Sequence, residues 1–282
     1  AALLRIGAIL TEAPLVVFAA ILSVDIAIAG AGLYIAYRQR GLRVSRWRFS
    51  TARAGQLLSQ SWMLILTGAL SMIYFKIDQV MLGQMAGDDE VGVYGAAVRL
   101  SEVWYFIPLA IATSVFPALI RSKERGERIY YARLQQLYDF LAGLGLLLAV
   151  FFTFAADRVI LIVFGSDYAA AGPILAVHIW AGVFIFLKVA LNRWQLNEGY
   201  LKFLFWSSAL GAAVNVGLNI FLIPRYGGMG AAIATVVSYG LAGTFCCFLY
   251  RPAWRNGWMM LKALLIPFRA LGRLAGRRSR DD

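Results

Sequence analysis

The chain has 282 residues, of which 61% are hydrophobic and only 15% charged, with a mean hydropathy of +0.69. A soluble domain carries roughly a quarter charged residues, so this composition excludes a water-soluble globular protein. The formal net charge of +12 does not signal nucleic acid, because the basic residues lie in short connectors between apolar blocks, where they act as topology signals.

The first residues lack the charged n-region and cleavage site of a signal peptide, and there is no initiator Met, so the sequence reads as the interior of a longer chain. Seven apolar blocks follow: Ala13 to Tyr37, Leu58 to Met85, Ala96 to Ile120, Leu137 to Ala156, Pro173 to Leu191, Phe203 to Ile223 and Met229 to Tyr250. Each has about the 20 residues that a helix needs to cross some 30 Å of hydrocarbon. The alternating segments of about ten residues that mark a membrane barrel are missing. The predicted fold is therefore an all-α integral membrane protein with about seven transmembrane helices.

The connectors alternate in charge. The one after the first block holds Arg38, Arg40, Arg43, Arg46, Arg48 and Arg53 with no acid, whereas the next holds Asp88, Asp89 and Glu90 with no base. Continuing in this way places 21 of the 27 basic residues on one side, which the positive-inside rule assigns to the cytoplasm. Residues 1–12 then form an outer-side segment, 38–57 a basic cytoplasmic connector, and 251–282 a basic tail on the cytoplasmic side. In that tail Trp254, Trp258, Met259, Leu261, Leu265 and Phe268 alternate at helical spacing with Arg255, Lys262, Arg269, Arg273 and Arg277. This predicts an amphipathic segment anchored in the membrane interface, with Arg277 to Asp282 disordered. Cys246 and Cys247 are adjacent and cannot close a useful loop, so neither a disulfide framework nor a metal or other cofactor is expected.

Ionisable residues inside spans are costly and mark candidate functional positions. At 1.5 Å per residue, Asp25 lies about 17 Å from either end of its helix, near the midplane. Counting back from the acidic turn puts Asp78 and Arg99 both about 12 Å deep, with Lys76 and Glu102 both about 15 Å deep. Arg99 and Glu102 share a helix face, while Lys76 and Asp78 point about 200° apart. The expectation is that Asp78 pairs with Arg99 and braces the hairpin, leaving Lys76 to face a central cavity; a purely structural role for all four is the alternative. Asn215 and Asn219 share a face and can bind either a neighbouring helix or a sugar. His178, Lys188 and Asp139 lie nearer helix ends, where Lys188 can snorkel and Asp139 can pair with Arg133 or Lys188. Pro224, Tyr226, Gly227 and Gly228 predict a tight turn, and Gly230, Ala231, Ala232 and Ala234 a closely packed helix face. The glycine pattern lacks the spacing of a nucleotide-binding loop.

Taken in order, Ile77-Asp78-Gln79-Val80-Met81-Leu82-Gly83, Val91-Gly92-Val93-Tyr94-Gly95-Ala96-Ala97, Arg99-Leu100-Ser101-Glu102, Pro117, Phe164-Gly165-Ser166-Asp167-Tyr168, Asn219 to Pro224 and Gly227 to Thr235 resemble a known family. It is that of the polysaccharide (O-antigen or lipid-linked oligosaccharide) flippases of the multidrug/oligosaccharidyl-lipid/polysaccharide exporter superfamily. The resemblance covers the C-terminal part of such a transporter. It implies that 13–37 is the last helix of an N-terminal lobe and 58–250 a six-helix C-terminal lobe, with about five further helices preceding. It also implies a non-enzymatic bacterial inner-membrane transporter that flips an undecaprenyl-diphosphate-linked oligosaccharide. Lys76 and Arg99 would then meet the diphosphate, and Asp25 would couple or gate. Implied partners are the lipid-linked oligosaccharide, membrane lipids and glycan polymerase machinery, with no nucleic acid. Alternatives are a cation-coupled multidrug antiporter of the same superfamily and, more remotely, a membrane glycan polymerase.

Overall fold

In the computed structural model, residues 13–267 are described together with Gly7, Thr11 and Arg269. The expectations for most of the outer-side segment, for Phe268 and for Arg273 to Asp282 lie outside the described residues. The described residues are helical apart from short connectors, as the uninterrupted apolar blocks demand: backbone N–H and C=O groups in hydrocarbon must bond within their own segment.

The elements are α1 (Leu15–Gln39), α2 (Thr51–Ala86), α3 (Asp88–Glu102), α4 (Phe106–Lys123), α5 (Glu127–Phe164), α6 (Ala171–Asn197), α7 (Leu201–Gly243) and α8 (Trp254–Leu264). A short 3-10 turn, Val103–Tyr105, joins α3 and α4 into one span, Asp88–Lys123. Among the described residues six helices are long and apolar enough to cross a membrane. One of these, α7, has 43 residues and would measure about 65 Å if straight, twice the hydrocarbon core. It is instead broken at Gly227 (φ 52, ψ −133) into two limbs that run back along each other, which makes seven passes among the described residues.

Two units divide the chain, Ala1–Ser59 and Gln60–Asp282. In the first, α1 presents Val16, Ile26 and Leu33 to the surroundings, as a lipid-facing helix does. The chain turns at Gly41 (φ 74), and Trp47 donates its indole N–H to the Tyr37 hydroxyl at 2.7 Å.

In the second unit α6 is the central helix, with side chains such as Leu175, Phe186 and Leu187 fully buried. Small residues set its spacing: a Cβ on Gly145 of α5 would sit 3.1 Å from the Val183 backbone, and one on Gly243 would sit 3.1 Å from the Phe184 carbonyl. The limbs of α7 lie antiparallel and equally close. A Cβ on Gly211 would be 2.6 Å from that of Ala242, and one on Gly230 would collide with the Leu222 carbonyl. Two ends of the unit are tied separately. At one, the Glu90 carboxylate accepts the Gly228 N–H at 2.9 Å; at the other, Lys123 binds Glu198 at 2.7 Å.

The tail departs from a purely lipid-bound helix. Met259, Met260 and Ala263 of α8 are buried against α5, Gln135 donates to the Met259 carbonyl at 2.9 Å, and Tyr138 donates to Asn256 at 2.9 Å. The Arg255 guanidinium lies 3.4 Å from the Tyr131 ring centre, leaving Trp254 and Trp258 on the outer face. The amphipathic pattern was there in the sequence, but part of its apolar face serves the protein rather than the bilayer.

Candidate functional site

The hairpin of α2 and α3 turns at Gly87 (φ 94), a conformation open to glycine, with Asp88, Asp89 and Glu90 on the positive end of α3. At 100° per residue, α3 carries two polar stripes. Glu90, Tyr94 and Ser101 share one face, and Gly92, Gly95, Arg99 and Glu102 share another. The first stripe turns inward: Tyr94 and Ser101 are buried, and the Ser101 hydroxyl is 2.9 Å from His178 Nδ1. The second borders an open groove of about 410 Å³ whose polar lining is Lys76, Gln79, Arg99 and Glu102, with Phe164 and Tyr168 at one side.

Lys76 and Glu102 form an ion pair at 3.5 Å, with 57% and 27% of their side chains exposed. Lys76 and Gln79 are three apart on α2 and therefore reach the same groove. Arg99 is exposed at its wall. The groove thus holds two cations against one carboxylate. Such a lining can offer charge-assisted hydrogen bonds to a multiply anionic head group. Cβ atoms on Gly92 and Gly95 would meet nothing within 4 Å, so these glycines leave the groove its width.

Asp78 is placed otherwise than expected. It is buried, accepts the Tyr94 hydroxyl through Oδ2, and accepts the Gln79 N–H at 2.8 Å through Oδ1. The Asp78–Arg99 pair is therefore replaced by Asp78–Tyr94 and Lys76–Glu102. The reason is rotational: Tyr94 and Arg99 are five residues apart, about 140° around α3, so a carboxylate facing Tyr94 cannot face Arg99. Depth counting put Lys76 and Glu102 at one level, but the expectation left Lys76 unpaired, and neither its bond to Glu102 nor that of Asp78 to Tyr94 was foreseen. The four-residue step from Glu90, which put Tyr94 on the inward stripe, was the available signal.

Asn215 and Asn219 are fully buried and do not line the groove. Asn215 donates to Ser238 at 3.3 Å and to Thr235 at 3.5 Å, and Asn219 donates to Asn215 at 3.0 Å, so the pair clasps the limbs of α7. Lys188 does not snorkel: it is buried in the bundle with its ammonium 5.4 Å from the Tyr74 ring centre. Asp139 pairs with Arg269 at 3.2 Å and accepts from Gln135 at 2.8 Å, in place of Arg133 or Lys188. Asp25 is half-buried on α1 of the first unit. Among the described residues no three potential metal ligands come together.

Two family models match the sequence, one described as polysaccharide biosynthesis protein over residues 1–123 and one as MatE over residues 64–221. Similar curated proteins include two from Haloferax volcanii. "Probable flippase AglR" is 25% identical over 60% of this chain and 36% of its own length, and "Probable low-salt glycan biosynthesis flippase Agl15" is 23% identical over 76% and 46%. A protein of Shigella dysenteriae provisionally named as an O-antigen transporter is 26% identical over 63% of this chain and 44% of its own length. The chain spans less than half the length of these relatives. No solved structure matches it.

Proposed function

The chain belongs to the MatE family, and from that premise we propose that it forms the six-helix lobe and preceding helix of a flippase. Its cargo is an undecaprenyl-diphosphate-linked oligosaccharide moved across the bacterial inner membrane for O-antigen, capsule or exopolysaccharide synthesis. The names of the curated relatives support a glycan flippase, and one observation in this chain carries the reading further. Lys76 and Arg99 border one open groove within the membrane-spanning hairpin. A diphosphate head cannot be solvated by lipid, and two cations on one wall offer what it loses. Glu102 holds Lys76 in place until the diphosphate competes for the ammonium.

The transporter works by binding and rocking, with no catalytic step of its own, and Asp25 of the first unit contributes to coupling or gating. The basic connectors and tail face the cytoplasm. There the lobe can receive lipid-linked oligosaccharide from the synthetic machinery, and glycan polymerase takes it on the outer side. In a null strain, surface glycan is expected to disappear and to return with the wild-type gene but not with K76Q/R99Q at equal membrane abundance. Normal surface glycan in the null strain would refute the reading. A change in drug sensitivity with glycan intact would favour a multidrug antiporter instead.

A further inference from the structure

At the opposite end of the second unit from Glu90 and Gly228, α4 and α5 leave a second groove of about 330 Å³. Its floor is Leu119 and Leu137, and its walls include Val115 and Phe140, 43% and 58% exposed. Both helices have the length and apolar composition of membrane spans, so the apolar part of this channel faces hydrocarbon. One end is different in kind: Arg133 and Gln136 lie on the same face of α5 as Leu137 and Phe140, at spacings of three, four and seven residues. Arg133 is exposed and has no ion pair among the described residues, whereas Lys123 and Arg269 nearby are both paired.

We propose that this groove is a binding site for an anionic glycerophospholipid of the bilayer, with an acyl chain along Val115, Leu119, Leu137 and Phe140 and its phosphate on Arg133. Arg133 is seven residues from Phe140, about 10 Å along the axis, so the guanidinium stands at head-group level when the chain occupies the groove. The planar fork of arginine donors matches phosphate oxygens, and Gln136 adds an amide donor beside it. Basic pockets between spanning helices on the cytoplasmic side favour anionic heads, at roughly fivefold per cation. The site is independent of what the lobe transports.

The test is native mass spectrometry of the protein purified from membranes in mild detergent, with dioleoyl phosphatidylglycerol or dioleoyl phosphatidylcholine added. Wild type should retain the anionic lipid about fivefold better. R133Q should abolish that preference, and R125Q, which changes an exposed base outside the groove, should keep it. V115W should reduce retention of both lipids, and A118L, a smaller filling, serves if V115W elutes as aggregate. Equal retention of the two lipids by wild type, a preference that survives R133Q or is lost equally in R125Q, or full retention with the groove filled would overturn the proposal.

Discussion

Replacing Glu90 with alanine removes the carboxylate that accepts the Gly228 N–H at 2.9 Å, at the point where α7 reverses. That N–H has lost its helical acceptor because Gly227, at φ 52 and ψ −133, interrupts the ladder. A hydrogen bond to a charged acceptor contributes about 1.5–3 kcal/mol. For a chain of this size each kcal/mol moves Tm by about 2–4 °C, so E90A is expected to lower Tm by about 3–12 °C in detergent. G227A strains a backbone conformation that side chains rarely adopt, at a cost of about 1–3 kcal/mol. It also places a Cβ 2.8 Å from Glu90 Oε2, a contact that vanishes in E90A. The two changes should therefore be non-additive, with G227A costing less in the E90A background by about 0.5 kcal/mol or more. Thermal unfolding of the four proteins, followed by tryptophan fluorescence, reads the cycle. An E90A protein melting within about 1 °C of wild type, or a G227A penalty equal in both backgrounds, would refute the latch.

Three further outcomes follow from the same geometry. Y94F leaves the buried Asp78 carboxyl without its side-chain donor and should destabilise by about 1–3 kcal/mol, measured by the same melt. N215A should destabilise by a similar amount, about 1–3 kcal/mol, while surface glycan per folded molecule stays normal, because Asn215 clasps α7 and does not face the groove. Selective loss of export in N215A would return it to the substrate site. G95W should do the opposite: its side chain enters open space in the groove, so surface glycan should fall while Tm moves by no more than about 2 °C.

The crossings were legible in the sequence because hydrocarbon imposes one rule on every segment, and each apolar block obeys it by itself. The depth of a charge was legible for the same reason, since rise per residue needs no knowledge of neighbours. It placed Lys76 and Glu102 at one level, though not as the pair they form. Rotation was harder. The choice between Tyr94 and Arg99 as partner of Asp78 depends on how α3 is turned against α2, which the close packing of the whole bundle decides. Lys188 failed for a related reason: its distance from a helix end suggested a route to water, but the route is occupied by Tyr74 and the second limb of α7. The role of α8 was hidden because Met259 and Met260 suit lipid and protein interiors equally.

The docking of α8 has a consequence for biogenesis. Its Met259, Met260 and Ala263 complete a core cluster begun by Leu134, Tyr138 and Leu141 of α5, yet they are synthesised after α1 to α7. Until they emerge from the ribosome, Tyr138 waits inside the bundle without Asn256. The inserted helices therefore cannot reach their final packing until α8 has been made. Quality control that degrades half-packed membrane proteins would see a nascent chain stopped before Trp254 as unfinished, although α1 to α7 had all been made.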